Sequence, residues 1–195
     1  MKKDVLFRYE RDAQGRILID VTAEKVEELF SNFDRNAPYI RRDLDPDLVD
    51  YLIDSAREVD AEPFVISFSL ASPPDRDQIS RIRSSVTNFF QYLIEVERQN
   101  IREMIRRSLV LLCLGITLLF FSVWLNQWLG AERSVIANVF AEGLTIAAWV
   151  SMWEALAVFL ADGLYHVQQI RLYRRLVAAD TVFRSVTSPM PQRPE

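Results

Sequence analysis

The residues able to do chemistry are few, and most lie where charge is costly. Glu142 and Glu154 are the only charged side chains in the apolar stretch 134–160. At about 1.5 Å per residue, Glu142 falls about 12 Å past the start of that stretch and Glu154 about 30 Å in. A charge at the centre of a hydrocarbon layer costs roughly 3 kcal/mol, so Glu142 is expected to face protein or water. Glu154 and Asp162, with Arg106 and Arg107 across from them, read as charges anchored at a membrane boundary. At about 100° per residue, Asn138, Glu142 and Thr145 share one stripe of a helix. Trp149, Met152 and Leu156 continue that stripe.

Other chemistry finds little support. His166 is the only histidine, and no serine, cysteine or carboxylate has a base beside it in sequence. The five glycines form no phosphate-cradling loop. Asp43, Asp45, Asp47 and Asp50 suggest an oxygen-rich metal loop. An EF-hand loop needs glycine at its sixth position and glutamate at its twelfth. Counted from Asp43 those positions hold Leu48 and Asp54, so the run reads as an acidic helix start. The lone Cys113 excludes a disulfide within one chain and is expected as a buried apolar thiol. No enzyme activity, metal or cofactor is expected.

The formal net charge of −4 divides unevenly. Residues 1–77 hold 11 Lys/Arg against 18 Asp/Glu, and residues 78–195 hold 12 against 9. An acidic first half argues against a nucleic-acid partner, which wants a basic face. The basic flanks of the apolar stretches are explained by membrane topology and anionic lipid.

Two stretches must position these groups. Residues 108–129 carry no charge, and 134–160 carry only the two glutamates. About 20 apolar residues suffice to cross a bilayer, so both are expected to span as a helical hairpin, with Ala131, Glu132 and Arg133 in the connection. Arg98, Arg102, Arg106 and Arg107 crowd one end, and His166, Arg171, Arg174 and Arg175 follow the other. Such positive residues stay cytoplasmic, so both termini are expected on the cytoplasmic side and the loop outside. Trp124 and Trp128 would mark the outer interface, and Trp149 and Trp153 approach the inner one. The opening MKKDVLFRYE has no apolar core of signal-peptide length, so the first span is expected to act as the insertion signal. Ser108, Gly115 and Ser122 recur every seven residues and offer a small face. Gly143, Ala147, Glu154 and Ala161 offer another on the second span.

The remainder reads as a soluble attachment, making the fold class an α-helical membrane hairpin with a small cytoplasmic α+β domain and a long connecting helix. Residues 5–9 and 17–21 predict a β-hairpin turning at Gln14-Gly15. A helix over Val26, Leu29, Phe30 and Phe33 follows Thr22 and ends at Asn36-Ala37-Pro38. Asp45-Pro46 starts another, with Leu48, Leu52, Ala56 and Val59 on its apolar stripe. Residues 64–70 predict a third strand, closing a domain over 1–71. Residues 75–107 predict a long helix. Its Ile79, Ile82, Val86, Phe89, Leu93 and Val96 make a heptad-like seam, with Asn100 at the next position. That seam fits an oligomeric coiled coil or a helix packed on its own domain. Residues 164–184 predict an amphipathic helix, apolar at Val167, Ile170, Tyr173, Leu176 and Val177, basic at Arg171, Arg174 and Arg175, which is expected either on the inner leaflet or paired with the helix before the first span. Residues 185–195 predict a disordered tail.

Two functional expectations follow. In one, a homo-oligomer in the lipid bilayer is a scaffold or sensor that displays its acidic domain to a cytoplasmic protein. A neutral Glu142 then hydrogen-bonds Thr117 or Ser122 across the hairpin. In the other, several copies line a cation pore with rings of Asn138, Glu142 and Thr145 above a constriction of Trp149, Met152 and Leu156. The order of soluble domain, helix, span, short loop, span and helix resembles calcium uniporter pores in outline. The Trp-Asp-x-x-Glu-Pro run of that family is replaced here by Arg133-Ser134-Val135-Ile136-Ala137-Asn138. The resemblance therefore implies no calcium site. The stretch EGLTIAAWVSMWEALAVFLAD (142–162) is similar to uncharacterised two-span bacterial membrane proteins, which implies a hairpin and no particular activity.

Overall fold

The computed structural model describes residues 6–31, 42–128 and 135–185. The hairpin connection at Ala131–Arg133, Phe33, the Asn36-Ala37-Pro38 stop and the tail from 186 lie outside the described residues. The chain divides into two units. One comprises residues 1–95 and 170–195, the other residues 96–169.

The first unit is built on a parallel sheet of three strands, in the order β1 (Ile17–Ala23), β2 (Phe64–Leu70), β3 (Asp180–Ser185). Ile17 pairs with Phe64 through to Ala23 with Leu70, and Val65 with Asp180 through to Leu70 with Ser185. β2 is buried along nearly its whole length, as a central parallel strand covered on both faces must be. Phe68 and Phe183, paired in register, stack at 5.4 Å.

Three expectations are corrected here. The 5–9 strand is a single 3₁₀ turn, Leu6–Arg8. The expected β-hairpin shrinks to one antiparallel bridge between Arg11 and Ile17. The reversal does fall at Gly15, whose φ of +79° suits glycine. Asp12 holds it, its carboxylate accepting from the backbone N–H of Gln14 and Arg16. Partial desolvation pushes the Asp12 carboxyl upward. The hydrogen bonds from the Arg16 side chain and these two amides outweigh it and leave the carboxyl below its ordinary value. Second, the helix expected after Thr22 is only a 3₁₀ turn, Val26–Leu29. Leu29 and Phe30 are both buried although adjacent, and Phe30 bridges Leu44. Phe30 itself has extended backbone (φ −119°, ψ 149°), so the chain leaves the turn there and does not continue as a helix. Third, the strand expected at 64–70 forms as β2, but the strand that completes the sheet lies outside residues 1–71. It is 180–185, so the expected C-terminal helix stops at Ala178 instead of 184.

Helix α1 (Pro46–Val59) forms where Asp45-Pro46 placed it. The Asp45 carboxylate accepts from the amides of Asp47 at 3.0 Å and Leu48 at 3.4 Å, supplying partners to first-turn N–H groups. Val49, Leu52, Ala56 and Val59 bury its stripe. Its far end is capped from elsewhere: Arg175 donates to the Ala56 and Glu62 carbonyls at 3.2 and 2.8 Å and lies over the Phe64 ring. Burial pulls the Arg175 guanidinium below its ordinary value. Arg175 is thus a domain residue, not part of a lipid-facing basic side.

Two long helices follow. α2 runs Arg76–Trp128 and α3 runs Val135–Ala178, each without a break. Asp75 and Gln78 exchange hydrogen bonds at the start of α2, a capping box that fixes its first turn. Of the two readings of the α2 seam, packing on the chain's own domain accounts for its first part. Ile82, Val86 and Phe90 are core residues of the first unit, with Phe89 and Leu93 packed against them. Val96 and Asn100 are half-buried in the second unit. From α3, Leu172 and Leu176 join the same core. Arg83 of α2 holds β3 through the Thr181 hydroxyl at 2.9 Å and the Thr181 carbonyl at 3.2 Å. Arg16 reaches Asp180 at 2.6 Å.

Candidate functional site

The second unit comprises α2 from residue 96 onward and α3 as far as residue 169, where the sequence concentrates its polar oddities. Their contact is lined by small residues at seven-residue spacing: Ser108, Gly115 and Ser122 on α2, and Ala141, Ala148 and Ala155 on α3. A Cβ on Gly115 would stand 2.7 Å from Met152 Cγ and 3.0 Å from the Ala148 carbonyl oxygen, so only glycine allows this approach. The α2 face matches expectation. The α3 face does not: Gly143, Ala147, Glu154 and Ala161 are exposed, and a Cβ on Gly143 would meet nothing within 4 Å.

The expected polar stripe also divides. Thr145 Oγ1 lies 2.6 Å from Ser122 Oγ, and both hydroxyls reach the Ala141 carbonyl, at 3.1 and 3.2 Å. Two hydroxyl hydrogens serve three contacts, so one hydroxyl donates to Ala141 and the other to its neighbour. Met152 is half-buried against Gly115. Asn138, Glu142, Trp149 (52% exposed) and Leu156 (44%) are exposed. Glu142 therefore does not bond Thr117 or Ser122. Thr117 donates to the Cys113 carbonyl of its own turn, and Ser122 is taken by Thr145. No hydrogen bond or ion pair engages Glu142 among the described residues. Cys113 is exposed on α2, not buried.

The apolar surface of this unit is uncovered. In the most apolar 18 residues of α2 only 17% are buried, and in those of α3 only 11%. The core helix of a water-soluble protein would be mostly buried, so these helices are of the length and composition that cross membranes. Near the end of α2, Phe121, Trp124 and Trp128 stack in sequence, with centroid separations of 5.8 and 6.2 Å.

Toward the other end, His166 Nδ1 lies 2.6 Å from a Glu97 oxygen, both side chains largely buried at 17% and 14% exposure. Since a carboxylate can only accept, Nδ1 carries the hydrogen. Sixty-nine residues separate the pair, and no local spacing announces it. Asn100, the expected register residue, also reaches Glu97, at 3.5 Å. Beside them lies a cavity of about 640 Å³ whose lining includes Arg106, Arg107 and Asp162. The structure brings these three boundary charges together and leaves Glu154 exposed elsewhere. Among the described residues no group of three metal-ligating side chains forms. No protein-family model matches the chain, and neither curated proteins nor solved structures match it.

Proposed function

We propose that the chain is a two-span protein of a bacterial inner membrane, both ends cytoplasmic, that acts as a homo-oligomeric scaffold or sensor through its split α/β domain. The observation that carries this reading is a connection. β2 leads into α2, and the chain returns to the neighbouring strand β3 only after α3. A hairpin inserted between two adjacent strands leaves both its ends on one side of a bilayer. The arginines before the first span support the cytoplasmic side for both ends. The exposed apolar faces of α2 and α3 support insertion, because water-soluble monomers rarely leave large contiguous apolar patches bare. The exposed Gly143 and Ala147 offer a close-packing face to a second copy. Only Ala179 separates α3 from β3, so a shift of α3 along α2 has no flexible linker to absorb it before the sheet.

Thiol labelling tests the topology. With Cys113 replaced by serine, an impermeant reagent on intact cells should label Arg133→Cys and spare Asp54→Cys; the reverse pattern sinks the orientation. Hydrogen exchange in lipid nanodiscs tests the coupling. Gly115→Leu, which forces the helices apart, should raise exchange in β2 and β3. A change confined to 96–169 would reduce the hairpin to an anchor.

A second reading, an oligomeric cation pore, is favoured by the exposed and unpartnered Glu142. It is weakened by Thr145 and Met152, which turn toward α2 within one chain. Conductance of the purified chain in planar bilayers, with cation preference lost in Glu142→Gln, would put this reading first.

A further inference from the structure

The cavity beside the His166–Glu97 pair has an order of charges that selects a ligand. Glu103, Arg106 and Arg107 reach it from α2 and Asp162 from α3. On α2 these residues stand three and four apart, the spacing that puts side chains on one helix face. None of the four is engaged in an ion pair among the described residues, although two cations and two anions line one space. Just inside the apolar stretch, Val110, Leu111 and Val158 line the same cavity, about one helical turn beyond Arg107. Its volume of about 640 Å³ lies within the range of small-molecule sites.

We propose that this cavity binds the headgroup of a zwitterionic phospholipid with a primary ammonium, a phosphatidylethanolamine. The guanidinium groups of Arg106 and Arg107 present forked N–H donors that match a phosphodiester. Glu103 and Asp162 accept from the ammonium, which has three N–H donors. A headgroup of net negative charge engages the two arginines and brings no ammonium of its own to the two carboxylates. A quaternary ammonium has no N–H to offer them. The apolar end of the cavity receives the first carbons of an acyl chain, so head and tail enter in the order the helix presents. His166, held by Glu97, forms part of the wall and keeps its ring in one orientation.

This proposal rests on the membrane reading, and its test separates the two. The full-length protein, purified in detergent, is mixed with equal amounts of phosphatidylethanolamine, phosphatidylglycerol and phosphatidylcholine, and retained lipid is read by native mass spectrometry. Phosphatidylethanolamine should be retained about tenfold over either competitor, the scale of one hydrogen bond to a charged group. Glu103→Gln with Asp162→Asn should move the preference to phosphatidylglycerol, a gain that misfolding cannot imitate. Arg106→Gln with Arg107→Gln should remove retention of both. Glycerophosphoethanolamine, the headgroup without chains, should fail to displace the lipid; full displacement would mark a site for a soluble ligand and overturn the lipid assignment. Equal retention of all three lipids, or a preference unmoved by the carboxylate changes, would also overturn it. A chain that stays soluble without detergent would instead overturn the membrane reading.

Discussion

Two glycines show how much a single position can decide. Gly115 lies where a Cβ would collide with Met152 and the Ala148 carbonyl, whereas Gly143 looks into open space. Overpacking a close contact typically costs about 1–3 kcal/mol, and a helical glycine replaced by alanine without a clash gains up to about 1 kcal/mol. Gly115→Ala should therefore lower the stability of the hairpin in a denaturing-detergent titration, and Gly143→Ala should leave it unchanged or raised. Equal effects would mean that the close approach of the helices is not what holds them. The importance of Gly115 was legible, because Ser108, Gly115 and Ser122 repeat every seven residues. Its partners were not, because several small faces exist on α3 and size alone does not choose among them. A matching period was the available signal: Ala141, Ala148 and Ala155 carry the same seven-residue repeat. One of the two readings of Glu142 gave it Thr117 or Ser122 as a partner, whereas Ser122 meets Thr145, one turn further on, and Thr117 bonds its own turn.

At the scale of elements, local chemistry was readable and long-range chemistry was not. Asp45-Pro46 located the start of α1 because a cap and its helix are neighbours in sequence. The end of α1 depends on Arg175, more than a hundred residues away. Nothing near Val59 announces it, and the sequence alone left the helix of that arginine either on the inner leaflet or against the helix before the first span. Removing it leaves the Ala56 and Glu62 carbonyls without their charged donor and uncovers the Phe64 ring. Arg175→Ala should destabilise the first unit by roughly 2 kcal/mol, the range of hydrogen bonds to charged groups. Arg175→Lys should recover only part of this, because an ammonium lacks the fork that reaches two carbonyls. Thermal unfolding followed by the near-ultraviolet signal checks both, and a full recovery with lysine would reduce the role of Arg175 to charge alone. The α2 seam carries the same lesson. Ile82 and Val86 have spacings that serve a coiled coil and a sheet-packed helix equally well, and only the fold shows that they pack in the domain's own core.

For the whole molecule, the decisive feature is that the unit holding the sheet is discontinuous. Sequence order encouraged a domain that closes at residue 71, because a composition break follows it at Ser72-Pro73-Pro74. The core that forms needs more than those residues hold. Ile82, Val86 and Phe90 come from the start of α2, and Leu172 and Leu176 from the end of α3. β3 covers an edge of β2 that would otherwise be open to pairing with other chains. A fragment of residues 1–71 should therefore be unfolded or aggregated. Residues 1–95 joined to 170–185 by a flexible linker in place of the hairpin should fold, since that fragment carries all three strands, the α1 cap from Arg175, and the pairs Arg83–Thr181 and Arg16–Asp180. Amide dispersion in a proton–nitrogen spectrum distinguishes the outcomes. Dispersed signals from 1–71 alone would show the domain to be continuous after all. A collapsed spectrum from the joined fragment would show that the hairpin does more than connect two strands, and that the sheet depends on the helices between them being in place.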